Sequence, residues 1–225
     1  MILNLTNAQI GYLGRGALAT VELSIAGAAG GAMIGLPTAL MLVSGGRFAR
    51  LFSRAYVHIA QGIPLPVAMF VVYFGIGLLG FDVLPVIAAS VALAVNAGAY
   101  LGDIWRGAIL AVPHTQWEAS ESLALNYAQR MLYVILPQAL RIAIPPTVGF
   151  LVALIKNTSY AVVIGMAELT YSARILNNTT FEPFVIFTLA AGVYFVICFP
   201  VSRFSMRLER ASHGNGKNID QESIK

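Results

Sequence analysis

The run LSIAGAAGGAMIGLPTALMLVSGG, residues 23–46, contains no Asp, Glu, Lys or Arg. A bilayer core about 30 Å thick needs roughly 20 helical residues at about 1.5 Å each, so this run is long enough to cross it. Uncharged runs also occupy residues 55–81, 83–102 and 183–202, and a further run, 142–167, is interrupted before its outer end only by Lys156. Helices satisfy their own backbone polar groups in lipid, and these runs are too long and too uniformly apolar for barrel strands. The expected fold is therefore all-α, a polytopic integral membrane protein with five transmembrane helices. Composition agrees. Of 225 residues 58% are hydrophobic and only 11% charged, against about 25% charged in a soluble domain, so the excess apolar surface must face lipid or a partner.

Basic residues predict orientation, because they are retained on the cytoplasmic face. With the amino terminus outside and the carboxyl terminus cytoplasmic, Arg47, Arg50, Arg54, Arg106, Arg130, Arg141, Arg203, Arg207, Arg210, Lys217 and Lys225 fall inside, and only Arg15 and Arg174 fall outside. The organisation predicted is a membrane domain over 1–210, with a polar cytoplasmic loop at about 103–141, and a disordered cytoplasmic tail over 211–225 rich in Gly, Asn, Lys and Asp. The first span is too long and too weakly flanked by basic residues for a cleaved signal.

Within the spans, Gly27, Gly31 and Gly35 recur every fourth residue beside Ala28 and Ala32. Such a stripe lets a second helix backbone approach closely, the main attraction between helices in lipid. Gly62-Ile63-Pro64-Leu65-Pro66 and Pro145-Pro146 remove backbone donors and predict kinks or breaks, which membranes tolerate beside a cavity or within protein. Lys156-Asn157-Thr158-Ser159 is the most polar cluster inside a span. An ammonium at that depth costs about 2.5–3.5 kcal/mol unless it snorkels, pairs or faces water. Glu22 and Glu168 are the candidate partners. A lining of the solute route and a snorkelling lysine with capping hydroxyls both fit.

In the loop, residues 115–125 read as a helix. Thr115 with Glu118 has the spacing of a capping box, and Ala119, Leu123 and Leu125 offer a small apolar face. The piece suits docking in a groove of a cytoplasmic partner; Trp117 and Tyr127 equally suit a helix lying on the membrane.

Through Glu118-Ala119-Ser120 and, further on, Ile135-Leu136-Pro137, the loop resembles that of the permease subunits of ATP-binding-cassette importers for polar amino acids, the group that includes histidine, arginine, glutamine and opine uptake. Glu118-Ala119-Ser120, Leu123 and Val134-Ile135-Leu136-Pro137-Gln138-Ala139-Leu140-Arg141 stand where that family has its Glu-Ala-Ala motif and Ile-x-Leu-Pro ending. Gly98-Ala99-Tyr100, Arg106-Gly107, Val112-Pro113 and Gln116 match upstream, with Asp103 in place of the usual Glu. Downstream, Lys156-Asn157-Thr158-Ser159 and Glu168-Leu169 match, and Gln61-Gly62-Ile63-Pro64-Leu65 is similar to its Arg-Gly-Thr-Pro-Leu. The likeness spans residues 14–210. Three positions depart: Ala124 replaces the loop glycine, Ser120 the second alanine, and Gln61 the arginine. If that glycine serves a positive φ, Ala124 is strained there, and two outcomes stay open: Asn126 takes over the turn, or this subunit couples weakly, as one unequal member of a heterodimer would.

The resemblance implies a translocating subunit that works with a pair of cytoplasmic ATP-binding subunits, a second permease chain (identical or paralogous) and an external solute-binding protein. Membrane lipid surrounds it, and a polar amino acid or derivative is its substrate. It implies an ATPase-coupling loop at Glu118, Ala119, Ser120, Leu123, Ala124, Leu136 and Pro137. Translocation-path candidates are Lys156, Asn157, Thr158, Ser159, Gln61, Pro64 and Glu168. The residues themselves leave open a secondary carrier or channel with an ion path at Lys156, and a membrane scaffold. No phosphate-binding loop Gly-x-x-x-x-Gly-Lys-Ser/Thr occurs, so ATP hydrolysis is not expected of this chain. A single cysteine, Cys198, and scattered His58, His114 and His213 predict no disulfide, metal or cofactor, and no nucleic-acid partner is expected.

Overall fold

The computed structural model describes residues 6–222, with side chains described for 6–210, and these residues form helices and connections with no strand. The order is α1 (Asn7–Ser44), α2 (Arg47–Gly62), α3 (Leu65–Leu78), α4 (Pro85–Leu110), α5 (His114–Ser122) and a single turn α6 (Tyr127–Gln129). A π-helical segment (Arg130–Ile135) then leads into α7 (Leu136–Asn157), a 3-10 segment (Thr158–Ile164), α8 (Leu169–Thr180) and α9 (Pro183–Glu222). Four of the helical stretches are long and apolar enough to cross a membrane; α2 and α3, bent by 103° at their junction, qualify only when taken together, which gives four spans, or five if the pair counts as one. The tail 211–225, expected to be disordered, lies outside the residues whose side chains are described.

Among the described residues α1 and α4 pack on each other most extensively, and the α1 glycines lie in that contact. A Cβ at Gly27 would meet Leu93, one at Gly31 would meet Ala97 and Gly98, and one at Gly35 would meet Leu101 and Gly102. The register climbs together, so the two helices run parallel. Gly98 and Gly102 answer from the α4 side, meeting Ile34 and Thr38. The small-residue stripe expected from sequence is thus a two-sided seam, and around it Leu23, Leu93, Leu154, Met69 and Ala161 close the main core.

The break at Gly62-Ile63-Pro64 is where the prolines predicted it. Pro64 has no N–H for the carbonyl of Ala60, four residues back. The buried Asn96 amide of α4 donates to that carbonyl at 3.2 Å, and the Tyr56 hydroxyl donates to the Val95 carbonyl at 2.6 Å. The broken end is therefore rebonded by a neighbouring helix, as membranes require. Pro145 and Pro146 break nothing: α7 runs through both, with the Ser205 hydroxyl donating to the Pro145 carbonyl at 3.3 Å.

The loop is shorter than the charges suggested. Asp103 and Arg106 ride on α4, which continues to Leu110, and Arg130 and Arg141 ride on the incoming helix. Charged side chains at helix ends reach water without ending the helix. Only residues 111–126 lie between the two helices, and α5 fills most of them.

Candidate functional site

α5 forms a shelf at the end of the molecule where α4 ends and α7 begins. Trp117 packs on Ile109, Val112, Met131 and Ile135, and Ser120 is buried, its hydroxyl donating to the Trp117 carbonyl at 2.8 Å. The opposite face carries Glu118, Ala119, Ser122 and Leu123, all exposed, with Leu123 at 74%. The helix begins at His114 with Pro113 as its cap residue, so the Thr115 capping box expected from sequence is absent; Glu118 instead meets His114 Nδ1 at 3.0 Å. The capping box of this region belongs to Asn126 and Gln129, whose side chains and backbone N–H groups exchange bonds of 3.0 Å. Its sequence signal is the spacing Asn-x-x-Gln at 126 and 129.

Two features tie the shelf to the span behind it. Glu121 pairs with Arg130 at 3.1 Å, and the Gln138 amide donates to Gln116 at 3.3 Å. Leu136 is half-buried in the same cluster and Pro137 is exposed in the first turn of α7. The π-helical Arg130–Ile135 precedes them, widening the backbone just before the proline removes a donor.

Ala124 adopts φ +55, so the left-handed turn is kept at the position where the resembled family has glycine. Asn126 does not take it over: its φ is −70, as a helix N-cap requires. Ala124→Gly is expected to raise stability by about 0.5–1 kcal/mol, since left-handed alanine costs about 1–2 and glycine loses part of that gain to greater freedom when unfolded. A thermal midpoint that falls on this substitution would place the turn elsewhere.

The polar cluster lies at the other end of α7. Lys156 is exposed in a groove of about 300 Å³ between α7 and α9, lined also by Val152, Tyr194, Phe195, Cys198 and Ser202. Among the described residues it forms no ion pair, and neither Glu22 nor Glu168 reaches it. Asn157 is half-buried beside it. The Thr158 and Ser159 hydroxyls donate to the carbonyls of Ile155 and Lys156 at 2.7 Å, capping the helix end. Gln61 donates to the Ala99 carbonyl at 3.4 Å, and Pro64 is exposed at the α2–α3 break.

Glu168 is wholly buried as the N-cap of α8. Its carboxylate accepts from the N–H groups of Thr170 and Tyr171, both at 2.8 Å, and from the Tyr194 hydroxyl at 2.9 Å. Burial pushes its carboxyl above the ordinary glutamate range, against the lowering effect of these donors. Glu168→Ala leaves the Thr170 and Tyr171 N–H groups without an acceptor and Tyr194 with Thr170 Oγ1, and is expected to cost about 2–3 kcal/mol, with Glu168→Gln intermediate because its NH2 faces one of the donors. Thermal unfolding in detergent measures this; equal midpoints for the three proteins would remove the cap from the fold's support.

The family described as binding-protein-dependent transport system inner membrane component matches residues 31–213. The chain belongs to that family. As a permease of this group it is a multi-pass protein of the bacterial inner membrane, and ATP hydrolysis in such systems lies in separate subunits. It is 35% identical over 199 residues to the probable amino-acid ABC transporter permease protein YckA of Bacillus subtilis (strain 168), covering 88% of each chain. It is 34% identical over 197 residues to the glutamine transport system permease protein GlnP of Escherichia coli (strain K12), covering 87% of this permease and 90% of that one. A crystal structure of an amino acid ABC transporter with histidines superposes with a TM-score of 0.84 at 31% identity, over 90% of this chain and 94% of that chain. The inward-facing MetNI methionine ABC transporter, at 20% identity and a TM-score of 0.74 over 91% and 99%, shares the fold.

Proposed function

We propose that this permease translocates polar amino acids or their derivatives by alternating access, with its amino terminus outside and the α5 shelf in the cytoplasm, gripped by one of a pair of ATP-binding subunits. The observation that carries the reading is the two-sided build of α5. One face is anchored through Trp117, Ser120 and the Glu121–Arg130 pair to the heads of α4 and α7, and the other presents Glu118, Ala119, Ser122 and Leu123 to a partner. A force on the exposed face is therefore delivered to the spans, as a rigid lever would deliver it. Ala124 turns the chain just past the end of the lever, and Pro137 stands in the first turn of the span that the lever would drive. The orientation is supported by basic residues: Arg47, Arg50, Arg54, Arg106, Arg130 and Arg141 all fall on the α5 side of the spans.

The two related permeases are named for amino-acid and glutamine transport, which supports a solute carrying a carboxylate. Lys156, with Asn157 beside it and Ser202 among the residues lining its groove, is the group that would meet that carboxylate. Thr158, Ser159 and Glu168 hold the ends of α7 and α8 around it, and Gln61 with Pro64 marks the broken helix on the α2–α3 side. A second permease chain completes the path.

The test is purification from membranes through a tag on this chain. ATP-binding subunits are expected to co-purify, and ATP hydrolysis in vesicles to rise on adding the loaded solute-binding protein. In intact cells Ser122→Cys is expected to resist a membrane-impermeant thiol reagent until the membrane is opened. Labelling from outside would reverse the orientation and remove the lever.

A further inference from the structure

From residue 23 to residue 81 the chain holds no Asp or Glu, and every fixed charge in that interval lies on α2: Arg47, Arg50 and Arg54. At 3.6 residues per turn α2 divides into three stripes. Ser53 and Val57 are buried against α1 and α4, where Ser53 meets Met41 and Val57 joins Leu42 and Ala99. A second stripe is apolar and uncovered: Phe48 is 87% exposed, Phe52 75% and Ile59 60%. The third is the basic stripe, whose arginines are exposed and have no acidic partner among the described residues.

The direction of α2 places these stripes. α3 packs along α4, with Met69 against Ala88, Ala89 and Ala92, and the 103° bend turns α2 across the spans rather than along them. Its far end is pinned to α4 at Val95, Asn96 and Ala99. Asp103 and Arg106, one to two turns further on, mark where α4 meets water. With 14 residues α3 rises only about 21 Å, less than the roughly 30 Å hydrocarbon core. α2 is therefore drawn into the boundary between headgroups and acyl chains, the depth at which amphipathic surface helices lie.

We propose that α2 is a membrane-surface helix that gathers anionic phospholipid headgroups through Arg47, Arg50 and Arg54, with Phe48, Phe52 and Ile59 seated in the acyl layer. Guanidinium groups match phosphate oxygens in a bidentate fork, and an acid-free segment has nothing to repel the phosphate. Each basic residue near an anionic surface strengthens association by about fivefold, and salt screens the attraction. The inference rests on the membrane location of the chain and not on what it transports.

The experiment uses the full chain in phosphatidylcholine vesicles containing spin-labelled phosphatidylglycerol or spin-labelled phosphatidylcholine. The fraction of motionally restricted label is expected to favour phosphatidylglycerol severalfold, and the preference is expected to shrink in high salt. The triple variant R47Q/R50Q/R54Q is expected to lose it while R47K/R50K/R54K keeps most of it, the lysine protein showing that the position tolerates change. A phosphatidylglycerol preference that survives the glutamine substitutions in a folded protein would overturn the proposal. So would an unchanged lipid preference accompanied by loss of co-purifying ATP-binding subunits, which would make the stripe a protein contact.

Discussion

Gly31→Val is expected to leave little folded protein in the membrane, whereas Gly75→Ala is tolerated. At Gly31 an added Cβ would lie 2.6 Å from the Ala97 Cβ, 3.2 Å from the Ala97 carbonyl carbon and 3.2 Å from the Gly98 nitrogen. Two of those three atoms are backbone, so no side-chain rotation relieves the clash, and valine adds two further methyl groups. Overpacking in an ordinary core costs about 1–3 kcal/mol. Here the adjustment separates α1 from α4 along a seam that also holds Gly27, Gly30 and Gly35, so the loss is expected at or beyond the top of that range. Folded domains are stable by only about 5–15 kcal/mol. At Gly75, on α3, nothing lies within 4 Å of an added Cβ. The measurement is the recovery of monodisperse protein on heating in detergent. Gly31→Ala combined with Ala97→Gly removes the nearest clash and is expected to restore most of the loss of Gly31→Ala alone. A Gly31→Val protein as heat-resistant as the parent would mean that the seam is not where the two helices touch.

That seam was half legible in the sequence. The Gly27, Gly31, Gly35 spacing announces a helix contact, and absence of charge announces the spans, because both follow from local chemistry. The partner helix, its parallel direction and the answering Gly98 and Gly102 depend on the tertiary arrangement. The same division runs through the rest of the molecule. Pro64 predicted a break, yet nothing local predicted that Asn96, 32 positions later, supplies the missing donor to Ala60. Asp103, Arg106, Arg130 and Arg141 suggested a long loop because a charge count treats a charged residue as the end of a helix, while a long side chain at a helix end lets the helix continue. The sequence offers the Glu168 carboxylate as a partner for Lys156; in the fold it is consumed by the N–H groups of Thr170 and Tyr171 and by Tyr194, a role fixed by its place at the start of α8. At Ala124 the turn predicted for a glycine persists without the glycine, since the connection from α5 to α6 demands a left-handed residue whatever side chain is there.

Glu118→Arg is expected to insert and fold like the parent and to lose at least tenfold of the ATP hydrolysis that the loaded solute-binding protein stimulates. The first half follows from exposure: the Glu118 side chain is 65% exposed and its one partner, His114, 85%. Exposed pairs of this kind contribute about 0–1 kcal/mol, discounted further by solvent, so the thermal midpoint should scarcely move. The second half follows from position. Glu118 sits on the outward stripe of α5 with Ala119, Ser122 and Leu123, while Trp117 and Ser120 on the inward stripe hold the helix to the spans. Under the proposed coupling the outward stripe is the face that loses its water to the ATP-binding subunit. Reversing a charge in such a contact costs several kcal/mol, and each 1.4 kcal/mol is about tenfold. Glu118→Gln, which keeps size and an acceptor but not charge, is expected to fall between the two. Arg130→Gln provides the contrast. It cuts the tie between Glu121 and the incoming span while leaving the outward stripe untouched, so ATP-binding subunits should still co-purify while hydrolysis no longer responds to the solute-binding protein. Full stimulation of Glu118→Arg would take this residue out of the contact, and normal coupling in Arg130→Gln would show that force reaches the spans by another route than the Glu121 pair.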